Sequence, residues 1–109
     1  MSEDELPEPV QVLVDAINDG DTEAFVAAFS TDGRVDDWGR VLRGRDGVRS
    51  WADTDAIGMN ASINITNAST EGTVTRIWFD WRSNRFTGPS EAYVTVTGDK
   101  VSEFRIPAH

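Results

Sequence analysis

Midway along the chain the spacing of apolar residues changes, and that change limits the folds open to it. Up to about Asp55 the apolar residues recur every three or four positions; from Met59 they recur every second position. A helix buries one stripe at the first spacing, and a strand buries one face at the second. A chain that keeps its helices and its strands in separate halves reads as α+β.

Val10, Leu13, Val14 and Ile17 form one apolar helix face, with Pro7 and Pro9 at its start, where a missing N–H costs nothing. Gly20 stops that helix, and Asp21 can cap a short second one, "TEAFVAAFS", with Phe25, Ala28 and Phe29 on one side. "TDGRVDDWG" breaks the pattern, and "GRVLRG" reads as a small strand pair around a turn at Gly39. A third helix is predicted from Asp46, with Val48, Trp51, Ala52 and Asp55 on one face, ending by Gly58. Four strands follow. The first carries Met59, Ala61, Ile63 and Ile65 on one face. The second sets Ile77, Phe79 and Trp81 opposite Val74, Arg76, Trp78 and Asp80. "SEAYVTVTGDK" and "KVSEFRIPA" complete an antiparallel meander. The expected organisation is a disordered tail at 1–6 and a single domain at 7–109.

The 109 residues suit one core. No apolar run approaches the roughly 20 residues of a membrane span, and the acidic start "MSEDELPEP" does not read as a signal peptide. With no cysteine, a cytoplasmic home is the default. The net charge of −9 argues against nucleic acid and against anionic membrane surfaces as partners. Twelve aspartates face one lysine and nine arginines, so like charges crowd a small surface. Melting temperature is therefore expected to rise between low salt and about 0.15–1 M NaCl as self-repulsion is screened. A flat or falling trend would contradict this.

The candidate chemistry is sparse. The single histidine, His109, is terminal, so a histidine-based mechanism or metal site is not expected, and no cofactor is implied. Asp36 and Asp37 are adjacent, so on a strand only one of them can face the interior. Trp38 beside them can wall a pocket. Trp51 and Trp81 have inward phase, as does Phe79, whereas Trp78 has outward phase. Aromatic walls suit a flat apolar ligand, although a closed core uses the same residues. Asp55 is either a second carboxylate at a pocket mouth or part of a frayed last turn. The sequons at Asn60, Asn64 and Asn67 read as outward strand positions. Apolar residues on both faces of "TVTRIWFDW" call for a cover on the outer side, and a two-fold homodimer through the sheet with Trp78 in the interface would supply it.

The stretch "INDGDTEAFVAAFSTDGRVDDWG" followed by "RGRDGVRSW" resembles the nuclear transport factor 2-like superfamily, in its SnoaL-like polyketide cyclase and ketosteroid isomerase-like branch. The matching residues are Asn18, Gly20 and Asp21, then Phe25 and Phe29, then Asp36 and Asp37, then Gly44, Asp46 and Val48. The resemblance implies a curved antiparallel sheet wrapped as a cone around three N-terminal helices, a cystatin-like arrangement, with an apolar pocket at the wide end. It implies Asp37 as a general base acting on a carbonyl or cyclic substrate. The ligand-binding residues expected around it are Trp38, Trp51, Asp55, Phe79, Trp81 and Tyr93, the last as a hydrogen-bond donor. The ligand would be a small apolar or aromatic molecule. The isomerase tyrosine position falls on Leu13, which cannot donate, and its buried acid falls near Glu91 or Ala92. An epoxide hydrolase-like Asp-Arg-Asp set could be imitated by Asp80 and Arg82 with Asp37 or Asp55. A non-catalytic binding or interaction domain is the alternative.

Overall fold

The structure is a computed structural model and describes residues 6–107. The tail expected at 1–6 falls outside these residues except for Leu6, which packs against the core. His109 also lies outside them.

The chain folds as α+β. Helices α1 (Glu8–Asp19) and α2 (Thr22–Ala27) lead into strands β1 (Phe29–Asp37) and β2 (Arg40–Arg43). Helix α3 (Gly44–Asp55) and a 3-10 turn (Ile57–Met59) follow, then β3 (Ser62–Glu71), β4 (Val74–Arg82), β5 (Thr87–Thr97) and β6 (Lys100–Ile106). The apolar stripe of α1 is buried throughout. Gly20 closes that helix in the left-handed conformation, and the Asp21 carboxylate caps α2 by accepting from the Ala24 N–H at 3.0 Å. Such a cap is worth about 1 kcal/mol.

One sheet holds all six strands in the order β2-β1-β6-β5-β4-β3, with β2 and β3 as open edges. It is mixed, which corrects the antiparallel expectation: β1 runs parallel to β6, and the other pairings are antiparallel. The four C-terminal strands do form the antiparallel meander. Its β6 edge would otherwise be unpaired, and β1 fills it. The polar run "TDG" hides β1 from a periodicity reading because it forms an irregularity between Phe29 and Arg34. Gly33 turns into the core there, where a Cβ would come within 3.0 Å of the Phe29 ring and of the Ser30 carbonyl. Phe29, expected at the end of α2, opens β1 instead, because the Ala28 carbonyl accepts the Val101 N–H and draws the chain into the sheet.

Helix α1 lies against β3, β5 and β6, and α3 covers β1 and β2. The Asn18 side chain clamps α1 to the edge strand, donating to the Ile63 carbonyl at 2.9 Å and accepting the Ile63 N–H at 2.8 Å. This gives the Asn of the "INDGD" motif a structural role. Arg49 on α3 pairs with Glu23 on α2, and the hydrogen bond it donates holds the Glu23 carboxyl below its ordinary range. The inner sheet face presents Val35, Ile63, Ile77, Phe79, Val94 and Phe104 to the helices. On β3 a register shift between Ile65 and Asn67 brings Ala68 into the core.

Candidate ligand-binding cavity

Where the inner face runs past the end of α3, the core opens into a cavity of about 350 Å³. Six elements frame it. The β1–β2 turn supplies Asp37 and Trp38; α3 supplies Trp51 and Asp55; β4 supplies Phe79 and Trp81. The β4–β5 connection adds Ser83, Arg85 and Phe86, and β5 and β6 add Pro89, Ser90 and Ile106.

Strand alternation separates the two adjacent aspartates. Asp36 turns back to the hairpin, where its Oδ1 accepts the Gly39 N–H at 2.9 Å. Asp37 lines the cavity, and its Oδ2 accepts the Trp51 indole N–H at 3.1 Å. The turn between the strands has positive φ at both central residues, 56° at Trp38 and 88° at Gly39. This conformation matches the twist of a two-residue hairpin but favours Asn or Gly at both positions. A tryptophan in the left-handed region is strained. The ring so placed lines the cavity.

Trp51 joins the cavity to the core. It is buried and packs on Phe25, Trp81 and Phe104, with ring centroids 5.8, 6.3 and 5.7 Å away. Its indole edge reaches Asp37 while its body fills the interior, so one residue serves packing and the site together.

Asp55 is structurally engaged rather than frayed. Its side chain is only 12% exposed and sits between two arginines. Arg40 donates to Oδ2, and Arg85 donates to Oδ1 at 2.7 Å. Arg85 also reaches the Thr54 carbonyl at 3.3 Å. A second nearby carboxylate faces the same arginine, since Arg40 Nη2 lies 3.8 Å from Asp37 Oδ2. The outcome is a row of Asp37, Arg40 and Asp55 in which both aspartates line the cavity. Among the described residues no group of three or more His, Cys, Asp or Glu side chains is placed to hold a metal ion.

The cavity thus brings together Asp37, Trp38, Trp51, Asp55, Phe79 and Trp81. Tyr93 is not among them, which corrects its expected place. It lies on β5 between the inward Ala92 and Val94, so its phase directs it to the opposite sheet face. There the Arg76 and Arg105 guanidinium groups lie 5.3 and 4.8 Å from its ring centre. Trp78 is on that outer face as expected, with Arg76 4.5 Å from its ring centre. Arg76 also donates to Glu91 at 2.8 Å, and this hydrogen bond raises the arginine further above its ordinary pKa. Glu91 therefore cannot serve the cavity as a buried acid, and Leu13 is packed in the core. Asp80 and Arg82 are exposed on the outer side of β4, away from the cavity lining. Arg40, Arg85, Phe86 and Ser90 escaped the sequence reading. Their signal was faint: a lone Phe beside an Arg in "SNRFTGPS", and an Arg one residue after the turn glycine.

No family model matches the sequence, and no curated protein matches it. Solved structures do. A polyketide cyclase candidate from Sinorhizobium meliloti superposes with a TM-score of 0.83 at 19% identity, covering 97% of this chain and 99% of its own. A protein with a ketosteroid isomerase-like fold from Catenulispora acidiphila, solved in complex with trimethylamine, gives 0.79 at 20% identity over 95% and 87%. An NTF2-like protein of unknown function from Cytophaga hutchinsonii gives 0.79 at 11% identity over 96% and 92%. The fold is that of the nuclear transport factor 2-like proteins, shared with polyketide cyclase-like and ketosteroid isomerase-like relatives. Identities this low establish the fold alone, and one such fold hosts many functions. No helix of the described residues is long and apolar enough to cross a membrane.

Proposed function

We propose that the cavity binds a small apolar or aromatic molecule and that Asp37 meets its polar end. One observation carries this reading. The Asp37 carboxylate sits at the edge of an aromatic-walled cavity, oriented by a neutral indole N–H, with Oδ1 accepting no hydrogen bond among the described residues. A carboxylate so placed can take a proton from a carbon next to a carbonyl, or from a cyclic intermediate, in an isomerase- or cyclase-type reaction. Leu13 and Glu91 leave the isomerase oxyanion positions without donors, so steroid isomerisation is not proposed. A second reading rests on Arg40, which stands between Asp37 and Asp55. That is the Asp-Arg-Asp order with which epoxide hydrolase-like relatives hold a water, assembled from different residues than the sequence suggested. Binding without catalysis is the remaining alternative. The trimethylamine in the Catenulispora structure is consistent with the fold accepting small molecules. A cytoplasmic location fits a chain with no cysteine.

The test is calorimetric titration with naphthylmethanol, a neutral aromatic probe. Saturable binding is expected, and Ser90→Phe, which fills the cavity, should abolish it while leaving the melting temperature within a few degrees. An absence of binding to the unmodified protein would contradict the proposal.

The outer sheet face suits a second copy of the chain. Trp78 and Tyr93 are half-buried there among alternating ion pairs, Arg76–Glu91 and Arg34–Glu103, and such alternation is self-complementary about a two-fold axis. Sedimentation is expected to show a dimer at micromolar concentration that Trp78→Glu converts to monomer. A monomeric unmodified protein would contradict this.

A further inference from the structure

Packing accounts for the Trp81 ring but not for its N–H. Trp81 is 7% exposed, and its ring centroid lies 6.3 Å from that of Trp51 and 6.2 Å from that of Phe79. A buried indole normally donates to a partner. Trp81 Nε1 donates to no group among the described residues. No side-chain nitrogen or oxygen there is both fully enclosed and unpartnered, so this N–H keeps a path to open space. The cavity is the space that Trp81 lines.

Three other donors of the lining are committed. Trp51 donates to Asp37, the Ser83 hydroxyl donates to the Phe86 carbonyl at 3.1 Å, and Arg85 is held by Asp55 and the Thr54 carbonyl. Trp38 also has an interaction of its own. The Ser90 hydroxyl, by contrast, makes no hydrogen bond among the described residues. Strand register brings it beside Trp81. Phe79 pairs with Ser90 and Trp81 with Gly88, so Ser90 and Trp81 are diagonal neighbours on the inner face of β4 and β5. Such neighbours lie roughly 7–8 Å apart, within reach of an aromatic side chain. Gly88 puts no side chain beside the indole. The Phe86 ring covers it instead, 3.2 Å from where a Cβ would stand.

An indole N–H only donates, so what meets it is an acceptor. The two aspartates of the lining and the chain's charge of −9 disfavour an anionic one. A neutral carbonyl oxygen fits, because its two lone pairs can take both donors. We infer that the ligand carries such an oxygen, held by Trp81 Nε1–H and the Ser90 hydroxyl. This rests on the small-molecule reading above and deepens it. Binding there leaves the ion pairs of Arg40 with Asp37 and Asp55 intact. The aromatic surroundings strengthen both hydrogen bonds, and a ligand without an acceptor leaves both donors unpaired.

The experiment compares 1-tetralone with tetralin, which has the same rings and no oxygen, by calorimetry on the unmodified protein, Ser90→Ala and Trp81→Phe. Each substitution removes one donor. Each is expected to weaken tetralone roughly five- to tenfold, while tetralin binds unchanged or tighter. The carbonyl stretching band of bound tetralone should move to higher wavenumber in each variant as a hydrogen bond is lost. Ser90→Ala removes only a half-buried hydroxyl, so the test stands if Trp81→Phe fails to fold. Equal weakening of both ligands, or tetralone binding untouched by Ser90→Ala or by a folded Trp81→Phe, overturns the donor pair and leaves the cavity as a small-molecule site. Binding of neither ligand to the unmodified protein overturns both.

Discussion

Trp51→Ala is expected to cost about 3–5 kcal/mol of stability, read as a fall in the denaturant midpoint. The reasoning starts from the packing. Trp51 is 1% exposed and touches aromatic partners from α2, β4 and β6. Alanine leaves a void that none of those rings can fill without moving, because each also packs against other core residues. A small domain holds only about 5–15 kcal/mol in total, so this variant approaches the unfolding threshold at room temperature. Trp51→Phe separates packing from hydrogen bonding. It keeps most of the ring volume but removes the N–H that Asp37 accepts, and its cost should fall near 1–2 kcal/mol. If alanine cost less than about 1 kcal/mol, Trp51 would not hold α3 to the sheet.

The second large effect concerns Asp37 as a base. A bicyclic aromatic ketone such as tetralone fits the ligand class proposed for the cavity. Its hydrogens next to the carbonyl exchange slowly in deuterated water, and a positioned carboxylate accelerates that step. Removing a general base typically lowers rate by about 10²–10⁴-fold. Asp37→Asn is therefore expected to reduce exchange to near the uncatalysed rate, while Asp36→Asn leaves it unchanged. Asp36 serves the hairpin turn through Gly39 and does not line the cavity. Equal losses in both variants, or no acceleration by the unmodified protein, would leave binding without chemistry.

Much of this architecture was readable from period and punctuation. The stripe of α1, the Gly20 stop, the Asp21 cap and the four-strand meander all follow from local rules that the tertiary structure does not override. The parallel pairing of β1 with β6 was not readable, since residues some seventy positions apart meet there and the "TDG" irregularity masks the strand's period. At the site, phase placed Phe79, Trp81 and Trp51 inward and separated Asp37 from Asp36. Phase also argued against Tyr93, between inward Ala92 and Val94, but its hydroxyl chemistry drew it into the expected set. The arginines were hidden for another reason. Arg40 and Arg85 reach Asp55 across 15 and 30 residues of sequence, and ion pairs between separate elements leave no periodic trace.

The most direct measurement uses the four tryptophans as built-in reporters, by following their indole N–H signals in a proton–nitrogen NMR titration with naphthylmethanol. Trp38, Trp51 and Trp81 line the cavity, and Trp78 sits on the far face of the sheet under Arg76. The expected result is saturable movement of the three cavity signals, with Trp51 most affected through its bond to Asp37 and Trp78 still. Movement of Trp78 alone, or of none of the four, would contradict a ligand site at Asp37.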